Sequence, residues 1–76
     1  MSIEAYLREE ARAGRAWGAY TDACQDLATA DTDDEHIQFE AIVAYQYARW
    51  QAVQAHICRT YSAERTAYRR SHIRAA

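Results

Sequence analysis

The chain has no proline and no lysine, and its only glycines, Gly14 and Gly18, lie in the first quarter of its 76 residues. Without proline, nothing obliges a helix to break. With so little glycine there is no glycine-rich loop to cradle a phosphate. Two cysteines, Cys24 and Cys58, are too few for a disulfide framework, and far apart in the chain they do not make the close Cys-x-x-Cys pairing of a structural zinc site. No apolar run approaches the ~18 residues of a membrane span. The opening Met-Ser-Ile-Glu-Ala-Tyr-Leu-Arg-Glu-Glu lacks a basic stretch followed by an apolar core, so no secretory signal is expected and the cytosol is the expected compartment.

What is there forms helix. Alanine is abundant and is accompanied by arginine, glutamate and glutamine, the residues that enter a helix at least cost. A chain this short makes one domain and buries only roughly 60% of its unfolded surface, so association is an expected way to gain core. All nine basic residues are arginine, a usage that suits a GC-rich genome and hence a bacterial or phage source. The net charge of −2 is unevenly spread. Residues 1–38 hold nine acids against Arg8, Arg12 and Arg15, and residues 39–76 hold six arginines against Glu40 and Glu64.

Over residues 2–28 the apolar positions recur at helical spacing. Ile3, Tyr6, Leu7, Ala13, Gly14, Trp17, Tyr20, Cys24, Leu27 and Ala28 share one arc, with charged residues opposite. Ser2 is the expected N-cap. Residues 29–33 form an acidic linker of short polar side chains that favour turns, with Asp33 or Asp34 capping a second helix over 34–59. That helix is apolar on two sides. Phe39, Ile42, Val43, Trp50, Val53 and Ile57 line one; Ile37, Ala41, Ala44, Ala48, Ala52 and Ala55 form a seam of mostly small residues on the other. Such a helix is usually sandwiched. One neighbour is the first helix, and the seam is expected to meet a second copy. Past Thr60-Tyr61-Ser62, the weakest helical triplet, the chain either continues as helix or restarts as a short third helix to about residue 73.

The expected architecture is all-α: an antiparallel helical hairpin, with or without a third helix, assembling as a dimeric bundle. A turn near Asp31 pairs residues whose numbers add to roughly 62–64. This register sets Leu7 against Ile57, Cys24 against Phe39 and Gly14 against Trp50. A glycine inside a helix costs about 1 kcal/mol relative to alanine, and a tryptophan lying over bare backbone supplies a reason for it. Glu10 falls inside the apolar arc, where a carboxylate needs a partner; Gln54 or a tyrosine hydroxyl is expected. Residues 64–74 are left without a neighbour in the chain.

No catalytic or cofactor-binding constellation emerges. His36 and Glu40 stand four apart beside Asp33 and Asp34, but the Glu-x-x-His motifs of di-iron bundles do not occur, so no metal is expected. Neither Cys24 nor Cys58 sits in an activating context for nucleophilic work with His56 or His72; each reads as a small packed residue. The unpartnered end is the informative feature. Tyr61, Arg65, Tyr68, Arg69 and Arg70 are of the types enriched at interface hot spots and form the expected surface for another protein. Nucleic acid is the alternative partner, since arginines interleaved with tyrosines meet phosphates and stack on bases. A pI near 5.8 and the acidic linker weigh against it. The sequence supports a small non-catalytic protein-binding module, a regulator or inhibitor acting as a homo-oligomer.

Overall fold

A computed structural model of the chain describes residues 3–73; Ser2 and Arg74, the expected cap and the last arginine of the basic end, lie outside them. Helices α1 (Ile3–Ala28) and α2 (Asp33–Thr60) pack as an antiparallel hairpin, and α3 (Ser62–Ile73) docks at its open end. No strand occurs among the described residues.

The linker ends in a cap. Thr32 is extended at φ −126°, ψ 159°, and its hydroxyl accepts the Glu35 N–H at 3.1 Å. The Glu35 carboxylate accepts in return from the Asp31 N–H at 3.3 Å. This is a Thr-x-x-Glu capping box with its return bond moved by one residue. Asp33 and Asp34 are therefore not the cap; they lie in the first turn, where negative charge meets the helix dipole.

The register differs from the expected one. Trp17 faces Trp50, Tyr20 faces Tyr47 and Tyr6 faces Tyr61, with ring centroids 4.9, 5.2 and 6.4 Å apart. Each pair of numbers adds to 67, against an expected sum of roughly 62–64, a slip of about one turn. The linker carries the chain past the end of α1 before α2 begins, and Asp33, Asp34, His36 and Ile37 stand exposed. The Gly14–Trp50 packing falls with the old register. Trp50 lies against Trp17 and Tyr47, and a Cβ added at Gly14 or Gly18 would meet nothing within 4 Å.

The same slip lets α1 reach beyond the end of α2, so the residues after Thr60 do have a neighbour. α2 stops at Tyr61, whose backbone leaves the helix at φ −124°, ψ 24°. Its N–H still donates to the Ile57 carbonyl at 2.8 Å, and its own carbonyl accepts the Arg65 N–H at 2.9 Å. The chain restarts as a third helix.

The core is thin. Tyr6, Ala13, Val53 and Ile57 are buried together, with Tyr61 and Tyr68 packed against them. Ala16 and Ala23 are also buried, although they sit at the flank of the arc read from the sequence. These small side chains are enclosed while larger ones on α1 are not: Ile3, Leu7 and Trp17 are 45%, 39% and 44% exposed. The molecule is a slab of 48 × 26 × 14 Å.

Candidate functional site

Three of the five residues expected to meet a partner pack within the chain. The rings of Tyr61 and Tyr68 lie 6.4 and 5.9 Å from that of Tyr6, which is buried. Arg65 ties the three helices together. Its Nε and Nη2 both donate to Glu10 Oε1, at 3.0 and 2.8 Å, and Nη2 also donates to Gln54 Oε1 at 2.8 Å. Nη1 reaches Cys58 Sγ at 3.5 Å. Burial pulls the guanidinium pKa down, but hydrogen bonds to Glu10 and Tyr6 outweigh it and hold the group above the ordinary arginine range. Tyr6 is raised as well, by burial first and then by its hydrogen bond to Glu10. Gln54 and a tyrosine hydroxyl do belong to this network, yet the ion-pair partner of Glu10 is Arg65. Periodicity alone does not show that pairing, because it depends on the slipped register.

Arg69 and Arg70 stay exposed on α3. The seam is largely uncovered, although Ala52 shares a hollow with Arg12 of α1. Ala41, Ala44, Ala48 and Ala52 are exposed and Ala55 is half-buried. Ile37 and Tyr45 beside them are 67% and 65% exposed.

His36 Nδ1 meets Glu40 Oε1 at 3.2 Å as an exposed pair one turn apart. Among the described residues, no group of three or more His, Cys, Asp or Glu is placed to hold a metal ion. Cys24 is half-buried and Cys58 exposed, so packing accounts for the first and not the second. No helix among the described residues is long and apolar enough to cross a membrane.

Two surface features stand out in the fold, one that escapes the sequence reading and one that extends it. Trp17, Tyr20, Tyr47 and Trp50 form a closed group of rings with neighbouring centroids 4.9 to 5.8 Å apart, and Trp17 and Tyr47 remain well exposed. Beside them is an open hollow of about 300 Å³ lined by Glu10, Ala13, Gly14, Trp17, Trp50 and Gln54. The second feature is charge. Folding back at the linker gathers residues 16–48 into a turn end with seven acids and no arginine. The open end, residues 3–15 and 49–73, holds eight arginines against Glu4, Glu9, Glu10 and Glu64. There Arg12, Arg49 and His56 line a hollow of about 280 Å³ with Ala52 and Val53. Comparison with protein-family models, curated proteins and solved structures finds no match to the chain.

Proposed function

We propose that the protein is a small non-catalytic protein-binding module, a cytosolic regulator or inhibitor of bacterial or phage origin that works as a homo-oligomer. Incomplete burial carries this reading. The chain exposes 5599 Å², where a compact monomer of its mass exposes ~4,700 Å². The excess is on the order of the ~800 Å² that each partner gives to an ordinary protein interface. Elongation alone would add area of any kind. Here the exposed side chains include the large apolar residues Ile3, Leu7, Trp17, Ile37, Ile42, Tyr45 and Tyr47, and an apolar patch such as the one around Trp17 and Tyr47 is the kind of surface that marks an interaction site. The alanine seam and the aromatic group are the two surfaces open to this use. With Arg65 drawn inward, Arg69 and Arg70 are the cations α3 offers to a partner.

One observation favours a second reading, nucleic-acid binding: arginine is concentrated at the open end, around the hollow of Arg12, Arg49 and His56. Affinity capture from a bacterial lysate, with and without nuclease, separates the two. One stoichiometric protein that survives nuclease supports the protein-binding reading. A nuclease-sensitive mixture, retained on DNA and released steeply by salt, overturns it in favour of nucleic acid.

A further inference from the structure

Gly14 and Gly18 sit at the middle of the 26-residue α1, and nothing within the chain accounts for them. Neither has a positive φ, so no backbone conformation calls for glycine. Neither is covered by a neighbour, since a Cβ at either would meet nothing within 4 Å. Each nonetheless costs the helix about 1 kcal/mol relative to alanine. Bare backbone in mid-helix suits close approach by another chain. The surroundings fit that use: Gly14 shares one hollow with Trp17 and Trp50, Leu7 and Trp17 are 39% and 44% exposed on the same side of α1, and Tyr47 is 39% exposed next to Trp50.

We propose that a second copy of this chain covers the face carrying Gly14, Trp17, Gly18, Tyr47 and Trp50. The copies pack antiparallel across a two-fold axis near the centre of α1, and each tryptophan of position 17 seats over the bare backbone of the other chain. Charge fixes the occupant and its direction. The turn end holds seven acids and no arginine, and the open end eight arginines against four acids. Parallel stacking sets like on like; antiparallel stacking sets each acidic end on the other copy's basic end. The glycines lie where a two-fold crossing must lie if both ends are to match. The second copy then adds to the slab along its thinnest direction, 14 Å. This inference rests on the homo-oligomer reading. It moves the contact between copies from the alanine seam to the aromatic face, leaving the seam, Arg69 and Arg70 for a different protein.

The test compares sedimentation equilibrium of the wild type with three variants: Gly14→Gln with Gly18→Gln, Trp17→Ala, and Ala44→Glu with Ala48→Glu. Glutamine is a better helix former than glycine and its Cβ meets nothing within 4 Å, so the first variant is expected to keep or gain helicity while becoming monomeric. Trp17→Ala is expected to weaken the dimer by roughly tenfold or more, and the seam variant to stay dimeric. A dimer that survives the glycine and tryptophan changes but is lost in the seam variant overturns the proposal and leaves the homo-oligomer reading standing. A wild type that stays monomeric at every concentration overturns both.

Discussion

The guanidinium of Arg65 gives two hydrogen bonds to a single oxygen of Glu10, 55 residues away along the chain. A third bond to Gln54 completes a link among α3, α1 and α2. Both charges are largely shielded, so removing one partner strands the other, a larger loss than breaking an exposed ion pair. Arg65→Ala is expected to destabilise the chain by about 1.5–3 kcal/mol, followed by urea denaturation. Arg69→Ala with Arg70→Ala is expected to stay within about 0.5 kcal/mol of wild type. Equal losses in the two variants would contradict the assignment of Arg65 to the interior and Arg69 and Arg70 to the surface.

Alkaline pH tests the same cluster. Tyr6 is raised above the ordinary value of 10.0, by burial first and by Glu10 next. The unfolded chain gives up this proton near pH 10 while the folded chain keeps it, so above that pH the folded state binds more protons and stability falls as pH rises. The contribution is fully present below the unfolded pKa and lost through the folded one. Tyr20, raised by its hydrogen bond to Cys24, acts in the same direction, so the comparison with Tyr6→Phe is decisive. The variant is expected to lose less melting temperature than wild type above about pH 10; identical alkaline slopes would rule out the Tyr6 contribution.

Trp50 touches Trp17 and Tyr47 and is half-buried. Aromatic pairs add about 0.5–1.5 kcal/mol beyond area burial. Trp50→Ala is therefore expected to cost about 2–3 kcal/mol, below the upper end for a fully enclosed tryptophan. Calorimetry showing a loss under about 0.5 kcal/mol would mean the aromatic group stabilises nothing.

The helices themselves were legible. Apolar spacing and the Thr29–Asp34 break locate α1 and α2 closely, whereas the weak triplet Thr60-Tyr61-Ser62 leaves a continuous helix equally open, and it is the backbone of Tyr61 that ends α2 before α3. The Thr32–Glu35 capping box was readable too, but the run of aspartates after it drew the cap forward. Register was not readable. An amphipathic stripe constrains which side of a helix is inward and says little about sliding along it, because a shift of one turn returns a similar face. That slip decides the fate of the C-terminal residues: it brings Tyr6 and Glu10 level with Tyr61, Tyr68 and Arg65, and what read as a free surface becomes core and ion pair. Ala16 and Ala23 are buried while Leu7 and Trp17 stay exposed, an order that hydrophobicity alone does not rank.

The most direct test of the account is the thermal melting of the wild type, followed by circular dichroism over a roughly hundredfold range of protein concentration. A hairpin completed by a second copy gains stability by mass action, about 2.7 kcal/mol over such a range at most, so the melting temperature is expected to climb by several degrees. A melting temperature that stays fixed across the series would mean that the thin core of Tyr6, Ala13, Val53 and Ile57 sustains the fold unaided, and the homo-oligomer at the centre of this account would be wrong.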